Sequence, residues 1–534
     1  EVGQSLSKGR SILWDNWASY DLNIDQHGLS VMVGSSMYQY QGSSMYTSNR
    51  DAVFSDLEHA YIDNTTNTLG ANINIDGKGE NPDNRLSYFA RLNYNFKEKY
   101  LLNATFRADG SSRFAEGNQW GYFPSVSAGW ILSEEGFLSS NNMFYYLKLR
   151  GSWGQVGNQN AGAYQYLAPI STQNVNYIFG TTEGTLTSGA YPSRLSNPNL
   201  QWETAEQINV GFDSRLLGGA LSLSVDWYKK TNKNWLIVAP VLATAGADAP
   251  YINGGDVINT GIEMALSYGD NIGDLNYSIG INGSYNQNEV GEIPTSDGIV
   301  HGATNQLFTN SLEFYRAATG HPIGFFWGLE TDGIFQNEAE VAAHSSNEGA
   351  LIQPAAKPGD VRYVDQNGDG MIDDEDRKEI GNPNPDFIFG FNVALDYQGF
   401  DFSVLGSGVA GNQIVQSYRD HSNQYANYTS EILNRWHGEG TSTSVPRVTE
   451  NASNWVEFSD LYIKDGDYLR ISNVTLGYDF AKILPSEAFG KLRLYVSALN
   501  LYTFTNYTGM DPEIGFGLDN GETDRFSSGV DLGY

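Results

Sequence analysis

The acidic segment from residue 365 to residue 376 has the sharpest chemical pattern in the sequence. Its twelve residues carry oxygen-bearing side chains at positions 1, 3, 5, 9 and 12, with a glycine at position 6. This spacing winds a chain around one hard cation, and the residue at position 7 contributes its backbone carbonyl oxygen. The predicted metal ligands are Asp365, Asn367, Asp369, Met371, Asp373 and Asp376.

Calcium is the predicted cation, because it accepts about six to eight oxygen ligands in a flexible arrangement. Magnesium is the alternative, although it prefers fewer protein ligands. Residues 359–364 look extended and Pro383 follows the loop closely, so we expect an isolated loop without flanking helices. The expected role of the metal is structural. An acidic turn that binds no metal is the plain alternative.

The sequence does not indicate enzymatic chemistry. The chain has no cysteine, and its seven histidines show no His-x-x-x-His spacing. A Gly-x-Ser-x-Gly turn between a strand and a helix is missing, and no glycine-rich stretch is followed by Lys-Ser or Lys-Thr. We therefore predict no catalytic residues and a protein that is not an enzyme.

The composition favours extended structure over helices. Aromatic residues make up 13% of the chain, and charged residues 17%, below the roughly 25% of ordinary soluble proteins. The net charge of −31 argues against nucleic acid as a partner, because phosphate binding needs basic patches. No apolar run approaches the ~18–20 residues of a transmembrane helix, and the first residues do not resemble a signal peptide.

Segments of about 10 to 14 residues with strict alternation recur along the chain and predict long β-strands. Examples are residues 221–227, 387–396 and 492–499, in which apolar side chains alternate with polar or small ones. Side chains of a strand point to opposite faces with a period of two. One face therefore meets an apolar medium and the other meets water or small polar groups.

Strand length separates a soluble sandwich from a membrane barrel. Soluble strands average about five to six residues, whereas membrane-spanning strands need ~9–11. We count about 14 to 16 segments long enough to span. Aromatic residues gather near their ends, as interfacial residues do. The sequence thus predicts an all-β fold and a large transmembrane antiparallel β-barrel, whose closure pairs every backbone group.

Connections between these segments differ in length. Gly218-Gly219 and Gly399 mark short turns, whereas about 158–204, 289–385 and 414–467 are long and are the predicted extracellular loops. Loop aromatics suit sugar or peptide recognition, but each is more readily explained by packing, so substrate-binding residues stay unassigned. The aromatic residues considered for this role are Trp120, Tyr122, Tyr164, Tyr166, Trp327 and Tyr425.

Several sequence blocks, specific in combination, resemble the barrel of SusC/RagA-type TonB-dependent transporters. They run from about residue 85 to the end of the chain. The blocks are Ser87–Phe96, Arg107–Phe114, Trp120–Ser125, Leu149–Gln159, Asn197–Thr204, Asn209–Asp213, Asp226–Tyr228, Gly359-Asp360 with the calcium-like loop, Gly381–Asp386, Tyr468–Ile471, Leu476–Tyr478 and Gly529–Asp531.

This resemblance implies a 22-stranded barrel in the outer membrane of Bacteroidota, filled by an N-terminal plug. It also implies a TonB box that takes up energy, a SusD-like surface lipoprotein that acts as a lid, and oligosaccharides or peptides as substrates. A dimer of barrel–lid pairs stays open. We expect residues 1–534 to be the C-terminal barrel part of a longer chain, with the plug, the TonB box and some barrel strands outside it.

Two other functions remain as alternatives at this point. A passive or specific porin would share the barrel but would lack the plug and the TonB box. A secreted, calcium-stabilised glycan-binding β-protein would be soluble without detergent. The family blocks favour energised import.

Overall fold

The structure is a computed structural model that describes residues 1–79, 82–138, 143–172, 176–178, 186–238, 243–449, 453–483, 490–513 and 528–532. Strands dominate it. In these residues the one α-helix is α1 (Glu338–Ala343), capped by the Asn337 side chain, which accepts from the backbone N–H of Glu340 at 3.1 Å. Residues 173–175 and 179–185 of the predicted loop 158–204, and 450–452 of the loop 414–467, lie outside the described residues.

The strands, in chain order, are β1 (Val2–Ile24), β2 (His27–Asn49), β3 (Asn74–Gly79), β4 (Asp83–Phe96), β5 (Tyr100–Ser111), β6 (Trp120–Ile131), β7 (Phe144–Asn158), β8 (Ile170–Ser171), β9 (Asn176–Ile178), β10 (Leu186–Ser188), β11 (Tyr191–Pro192), β12 (Glu203–Leu216), β13 (Leu221–Lys233), β14 (Leu236–Val238), β15 (Tyr251–Asn253), β16 (Val257–Ile272), β17 (Leu275–Val290), β18 (Ile299–His301), β19 (Tyr315–Ala318), β20 (Phe325–Leu329), β21 (Thr331–Ile334), β22 (Val361–Tyr363), β23 (Arg377–Gly381), β24 (Phe387–Tyr397), β25 (Phe400–Ala410), β26 (Gln413–Gln416), β27 (Ile463–Asp465), β28 (Tyr468–Asp479), β29 (Arg493–Thr505) and β30 (Val530–Asp531). Short 3₁₀ turns span Ile62–Asn64, Gly70–Asn72, Leu132–Glu134, Leu217–Gly219, Ala243–Ala245, Asp374–Asp376, Ser430–Asn434, Asp460–Tyr462 and Phe480–Lys482.

The chain divides into two compact units. Unit 1 comprises Glu1–Trp130, Ser152–Glu206 and Lys233–Gly254, and unit 2 comprises Ile131–Gly151, Gln207–Asn232 and Gly255–Tyr534. In unit 1 the long strands follow the order β1-β2-β4-β5-β6. Strand β3 pairs with residues Ser43–Ser48 of β2. In unit 2 the order is β13-β16-β17-β24-β25-β28-β29. These long strands pair antiparallel with their sequence neighbours, as a membrane barrel requires.

Each unit's sheet has one apolar and one polar face, and the register keeps them separate. In unit 1, Leu102 of β5 pairs with Tyr94 of β4 and Ala128 of β6, while the next residue, Asn103, pairs with Asn93 and Ser127. We call these the apolar face and the polar face. A slip of one residue would exchange them, so the hydrophobic pattern fixes the pairing.

The same separation holds in unit 2. Tyr277, Ile279 and Ile281 of β17 pair with Leu395, Val393 and Phe391 of β24 on the apolar face. The three β24 residues are alternate positions of segment 387–395, as the sequence predicts. Ile262 and Ile281 are 50% and 47% exposed, so this face packs against no other part of the described chain. Large exposed apolar side chains on a whole sheet face indicate an apolar surrounding medium.

Aromatic rings form two belts on the apolar face of unit 1. Near one end of the strands, Tyr100 stacks with Trp130 at 6.2 Å between ring centroids. Near the other end, Tyr88 stacks with Trp120 at 6.1 Å, and Phe106 stacks with Tyr122 at 6.3 Å. Rings with a polar edge favour the two interfaces of a bilayer. Trp120 and Tyr122 therefore belong to a belt, which favours the packing interpretation of both.

Connections at one end of the strands are short, as in the turn between β24 and β25. There Gln398 and Gly399 both have positive φ, 48° and 95°, the conformation of a two-residue turn whose twist matches that of antiparallel strands. At the opposite end the connections are long. Besides the predicted long segments, the chain between β2 and β4 and the chain between β13 and β16 are also long.

In unit 2 the compact core lies in the long connections and not between the long strands. Residues 291–386 and 411–467, which we call the loop module, contain the small sheets β18-β19-β20-β23, β21-β22 and β26-β27. Phe314 of the first segment packs on Phe458 of the second at 5.2 Å between centroids. The side chains of this module that are 0–2% exposed include Phe314, Tyr315, Phe325, Phe326, Leu329, Phe335, Val361, Ile414, Val415 and Tyr462.

A histidine-centred ion cluster closes the start of the loop module. His301 contacts Glu313 through Nδ1 at 3.0 Å and Asp297 through Nε2 at 3.1 Å. Arg316 also pairs with Glu313, and its guanidinium lies 4.0 Å from the ring centre of Trp327. Burial alone would lower the pKa of His301, but hydrogen bonds to Glu313 and Asp297 outweigh burial and the repulsion of Arg316 and raise this pKa. His301 in turn lowers the pKa of Asp297 to about 2.

The two faces can be tested by a pair of neighbouring substitutions in the middle of β6. Val126 lies on the apolar face and Ser127 on the polar face. We expect Val126→Arg to destabilise the folded protein by about 2–4 kcal/mol, because it places a charge against hydrocarbon. Ser127→Arg should cost much less. Urea-dependent unfolding of full-length protein in lipid vesicles measures both, and equal losses would contradict the assignment of the faces.

The cluster around His301 predicts a pH-dependent stability of residues 297–316. Its folded-state pKa is raised, so the stabilisation is complete below the unfolded pKa of about 6.5 and is lost as pH rises through the folded value. We expect a loss of roughly 0.2–1 kcal/mol, as for partly exposed ion pairs. Limited proteolysis of the full-length protein, at pH values below and above the folded-state pKa of His301, measures this loss of stability.

His301→Gln should abolish that pH dependence. His437→Gln is the control, because His437 is exposed and its ring nitrogen contacts the carbonyl of Arg435 at 3.0 Å. An unchanged proteolysis profile in His301→Gln would show that His301 does not carry the effect.

Candidate functional site

The predicted metal loop lies in the loop module, between β22 and β23. It ends in the 3₁₀ turn Asp374–Asp376, and no α-helix flanks it among the described residues, as the extended neighbours of the motif predict. Ile372 packs against the buried cluster of Leu329, Val361 and Tyr363. The loop is therefore attached to the core of the module by its own apolar residue.

The side chains at the first positions turn inward to the backbone of the loop. Asp365 accepts from the N–H of Gly368 at 2.7 Å and of Gly370 at 2.9 Å. Asn367 accepts from the N–H of Asp369 at 2.9 Å. Gly370 has φ of +88°, so the glycine at position 6 permits the sharp turn of the loop.

The last position closes the loop. Asp376 is fully buried and accepts from the N–H of Gln366 and of Asp373, both at 2.8 Å. Asp369 accepts from the N–H of Met371 at 2.9 Å. The six predicted residues thus share one closed turn, which Gln366 also anchors to Glu330 through its side-chain nitrogen at 2.7 Å.

These residues fit a hard cation in type and in number. Four carboxylates, one amide oxygen and one backbone carbonyl are the donors that calcium prefers, and a carboxylate oxygen that accepts one hydrogen bond keeps a further lone pair. In the part of the chain that the structure describes, no three His, Cys, Asp or Glu side chains stand grouped as a metal site. The metal at Asp365 to Asp376 therefore stays a prediction.

A charged network on the polar face of unit 2 joins three strands. Arg150 of β7 donates to Asp213 of β12 at 3.0 and 3.1 Å, and through two terminal nitrogens to Asp226 of β13, one of these contacts being 2.6 Å. It also donates to Ser224 at 3.0 Å. A Cβ on Gly211 would collide with the Asp226 carboxylate, so the glycine leaves room for this network.

The sequence did not single out this network. Its charged members stand far apart in the chain, and although each lies in a block that carries the family resemblance, no spacing connects them. The sequence pattern that could have indicated the network is three charged side chains on the polar faces of strands that are otherwise rich in Ser, Asn and Gly. Only the side-chain hydrogen bonds of the folded chain show that they meet.

A cleft of about 490 Å³ opens on the polar face of unit 1. It lies toward the strand ends that lead into the connections 50–82, 112–119 and 159–202. Two arginines of neighbouring strands, Arg85 and Arg107, face it, and Trp202 closes one side. Its volume lies within the roughly 300–1,000 Å³ of small-molecule sites.

The remaining candidate aromatics are divided between the two units. Tyr164 and Tyr166 in unit 1 lie 5.9 Å apart, and the Tyr164 hydroxyl donates to the carbonyl of Pro82 at 3.0 Å. In unit 2, Trp327 lies under Arg316, while Tyr425 is 85% exposed. Packing explains three of these residues, and Tyr425 alone is free to meet a partner.

No helix within the described residues is long and apolar enough to cross a lipid bilayer.

Comparison with known proteins gives one consistent family. The family model of the TonB dependent receptor-like β-barrel matches residues 3–501. TonB-dependent receptor P3 of Formosa agariphila is 30% identical over 529 residues, which cover 98% of this chain and 50% of that protein. SusC of Bacteroides thetaiotaomicron is 30% identical over 446 residues, or 81% of this chain and 42% of that protein. The chain spans about half the length of the curated relatives that it matches.

Solved structures agree on the fold. The structure of the RagAB peptide transporter superposes with a TM-score of 0.79 at 22% sequence identity, covering 99% of this chain and 54% of that one. The RagAB importer in its closed-closed state gives a TM-score of 0.78 at 23% identity.

These matches confirm the resemblance to SusC/RagA-type proteins, the all-β barrel fold and the location in the bacterial outer membrane. The family consists of receptors and transporters and not of enzymes. This chain belongs to the TonB-dependent receptor-like β-barrel family.

Proposed function

We propose that the whole protein imports oligosaccharides or peptides across the outer membrane with energy supplied through TonB. The observation that carries this proposal is the family match over residues 3–501, on a sheet whose two faces are separated by register. The apolar face meets lipid, and the polar face lines the path of the substrate. The barrel does no covalent chemistry.

The proposed lid is a SusD-like surface lipoprotein, and the loop module is the surface that we propose it binds. The tight packing of this module supports the proposal, because a partner that opens and closes needs a rigid surface to bind. Hydrogen bonds join its two segments: Arg447 binds Asp360 at 2.7 and 2.9 Å, and Thr331 binds Asp460 at 2.6 Å. The exposed side chains of Tyr425 and Leu433, 85% and 73% accessible, offer apolar contacts on its surface.

Residues inside the barrel are proposed to hold their shape while a plug moves past them. The Arg150 network supports this role, since a bidentate arginine between two carboxylates keeps charged side chains in fixed positions. A wall whose charges are paired exposes few loose ionic groups to a passing substrate.

Uptake by the native organism tests energised import. Cells that carry the full-length gene, the gene deletion, or the gene without its TonB-binding segment would be supplied with labelled oligosaccharides and peptides of several lengths. We expect uptake of at least one class in the first strain only. Uptake that survives loss of the TonB-binding segment would favour a passive porin and overturn the proposal.

We also propose that residues 365–376 bind calcium as a structural ion. The prediction is that chelator speeds proteolytic cleavage of the loop module in the full-length protein, and that calcium reverses the effect. Asp365→Asn together with Asp369→Asn should make cleavage fast and insensitive to calcium, because two ligands at the start of the loop lose their charge.

The matched control is Glu348→Gln, which removes one exposed charge of the same module outside the loop. It should keep the calcium response. Protection that is equally strong with magnesium alone would favour the smaller ion, and protection that is indifferent to chelator in the unmodified protein would show an acidic turn without metal.

A further inference from the structure

The cleft on the polar face of unit 1 combines groups that suit one class of ligand. Arg85 and Arg107 are 43% and 46% exposed at their side chains. In a chain with a net charge of −31, two half-exposed guanidinium groups facing one cleft are unusual neighbours. Guanidinium forks match carboxylates in geometry and charge.

Each arginine uses only some of its N–H donors in hydrogen bonds within the protein. Arg107 donates through Nε to both oxygens of Asp109 at 2.8 Å and through one terminal nitrogen to Ser87 at 3.0 Å. Arg85 donates to Asp83 at 2.6 Å and lies 4.9 Å from the ring centre of Tyr38. A guanidinium has five N–H donors, so each keeps donors for a ligand while its orientation is fixed.

Uncharged groups of the cleft are equally constrained. Gln155 donates to Glu206 at 2.8 Å and Asn158 donates to Glu203 at 3.2 Å. Both side chains are therefore held in fixed orientations on the wall of the cleft.

One wall of the cleft is aromatic. Trp202 packs edge-to-face against Phe123 at 5.5 Å between centroids, and its ring nitrogen donates to the carbonyl of Gln119 at 3.0 Å. The indole is thus fixed beside the polar groups. A rigid indole with amide and guanidinium donors around it suits the C–H face of a hydroxylated sugar ring that carries a charge.

We infer that this cleft binds a carboxylate-bearing sugar unit of a short acidic oligosaccharide. Arg85 and Arg107 each donate to a carboxylate of the oligosaccharide, and Trp202 covers a sugar ring. The inference rests on the proposed import function and narrows its substrate class. A peptide carboxylate would satisfy the arginines but would leave the aromatic wall with a weaker partner.

Calorimetric titration of the purified full-length protein in detergent tests the inference. The probes are trimers of galacturonate, glucuronate and mannuronate, the neutral maltotriose, and the peptide Asp-Ala-Asp. We expect at least one uronate trimer to bind and the neutral trimer to bind at least about tenfold more weakly, because a paired charge is lost. Absence of binding by all three uronates, or equal binding of maltotriose, overturns the inference, and so does stronger binding of the peptide.

Arg107→Gln and Arg85→Gln should each weaken uronate binding by about tenfold or more, since a charge-assisted hydrogen bond disappears. Arg91→Gln is the matched control. Arg91 lies on β4, the strand that carries Arg85; it is exposed on the polar face and does not line the cleft. Heat-modifiable migration checks that each variant is folded. Equal binding by Arg107→Gln and Arg91→Gln would place the ligand elsewhere.

This experiment needs neither TonB nor a lid, so its failure is distinct from a failure of import. Uptake of a neutral sugar or a peptide by cells, with no uronate binding by the purified protein, would leave the import function standing and remove the cleft assignment alone.

Discussion

The pairing of backbone N–H and C=O groups in an apolar medium governs this chain. Hydrocarbon offers no hydrogen-bond partner, so a strand that crosses it must be paired along its whole length on both sides. The long antiparallel ladders satisfy that demand, as between β16 and β17, which pair continuously from Val257 and Val290 to Ile272 and Leu275. Once the ladders are fixed, side chains can only divide between two faces, and the period-two pattern of the sequence follows from that division.

The location of the buried core follows from the same constraint. A sheet whose outer face meets lipid does not hide apolar side chains inside protein, which is why Ile262 and Ile281 stay about half exposed. The loop module leaves the bilayer and meets water, where the hydrophobic effect operates again. It consequently collects the fully buried rings, such as Phe326 and Tyr462, and supports the acidic loop 365–376 on a firm base.

Sequence reasoning reached the strands and the family because both leave local signals. Alternation at residues 387–395 predicted the face of Phe391 and Val393, and the register bears it out. The twelve-residue motif predicted a closed loop without flanking helices, and its backbone is wound in that way. Non-local facts were out of reach. Arg150 meets Asp213 and Asp226, which are 63 and 76 residues further along the chain, and no spacing rule connects them.

The contrast between the two polar-face sites carries the functional argument furthest. In unit 2, Arg150 is consumed by two carboxylates and a serine, so its charge is balanced within the wall. In unit 1, Arg107 is held by Asp109 and Ser87 along one side only, and close to half of its side chain remains exposed. The arrangement around Arg150 stabilises the barrel wall, because every N–H donor has an acceptor within the protein. The arrangement around Arg107 preorganises N–H donors for an acceptor on a ligand at little entropic cost. The exposed arginines lie near the strand ends that lead into the long connections, where the proposed ligand would first meet the polar face.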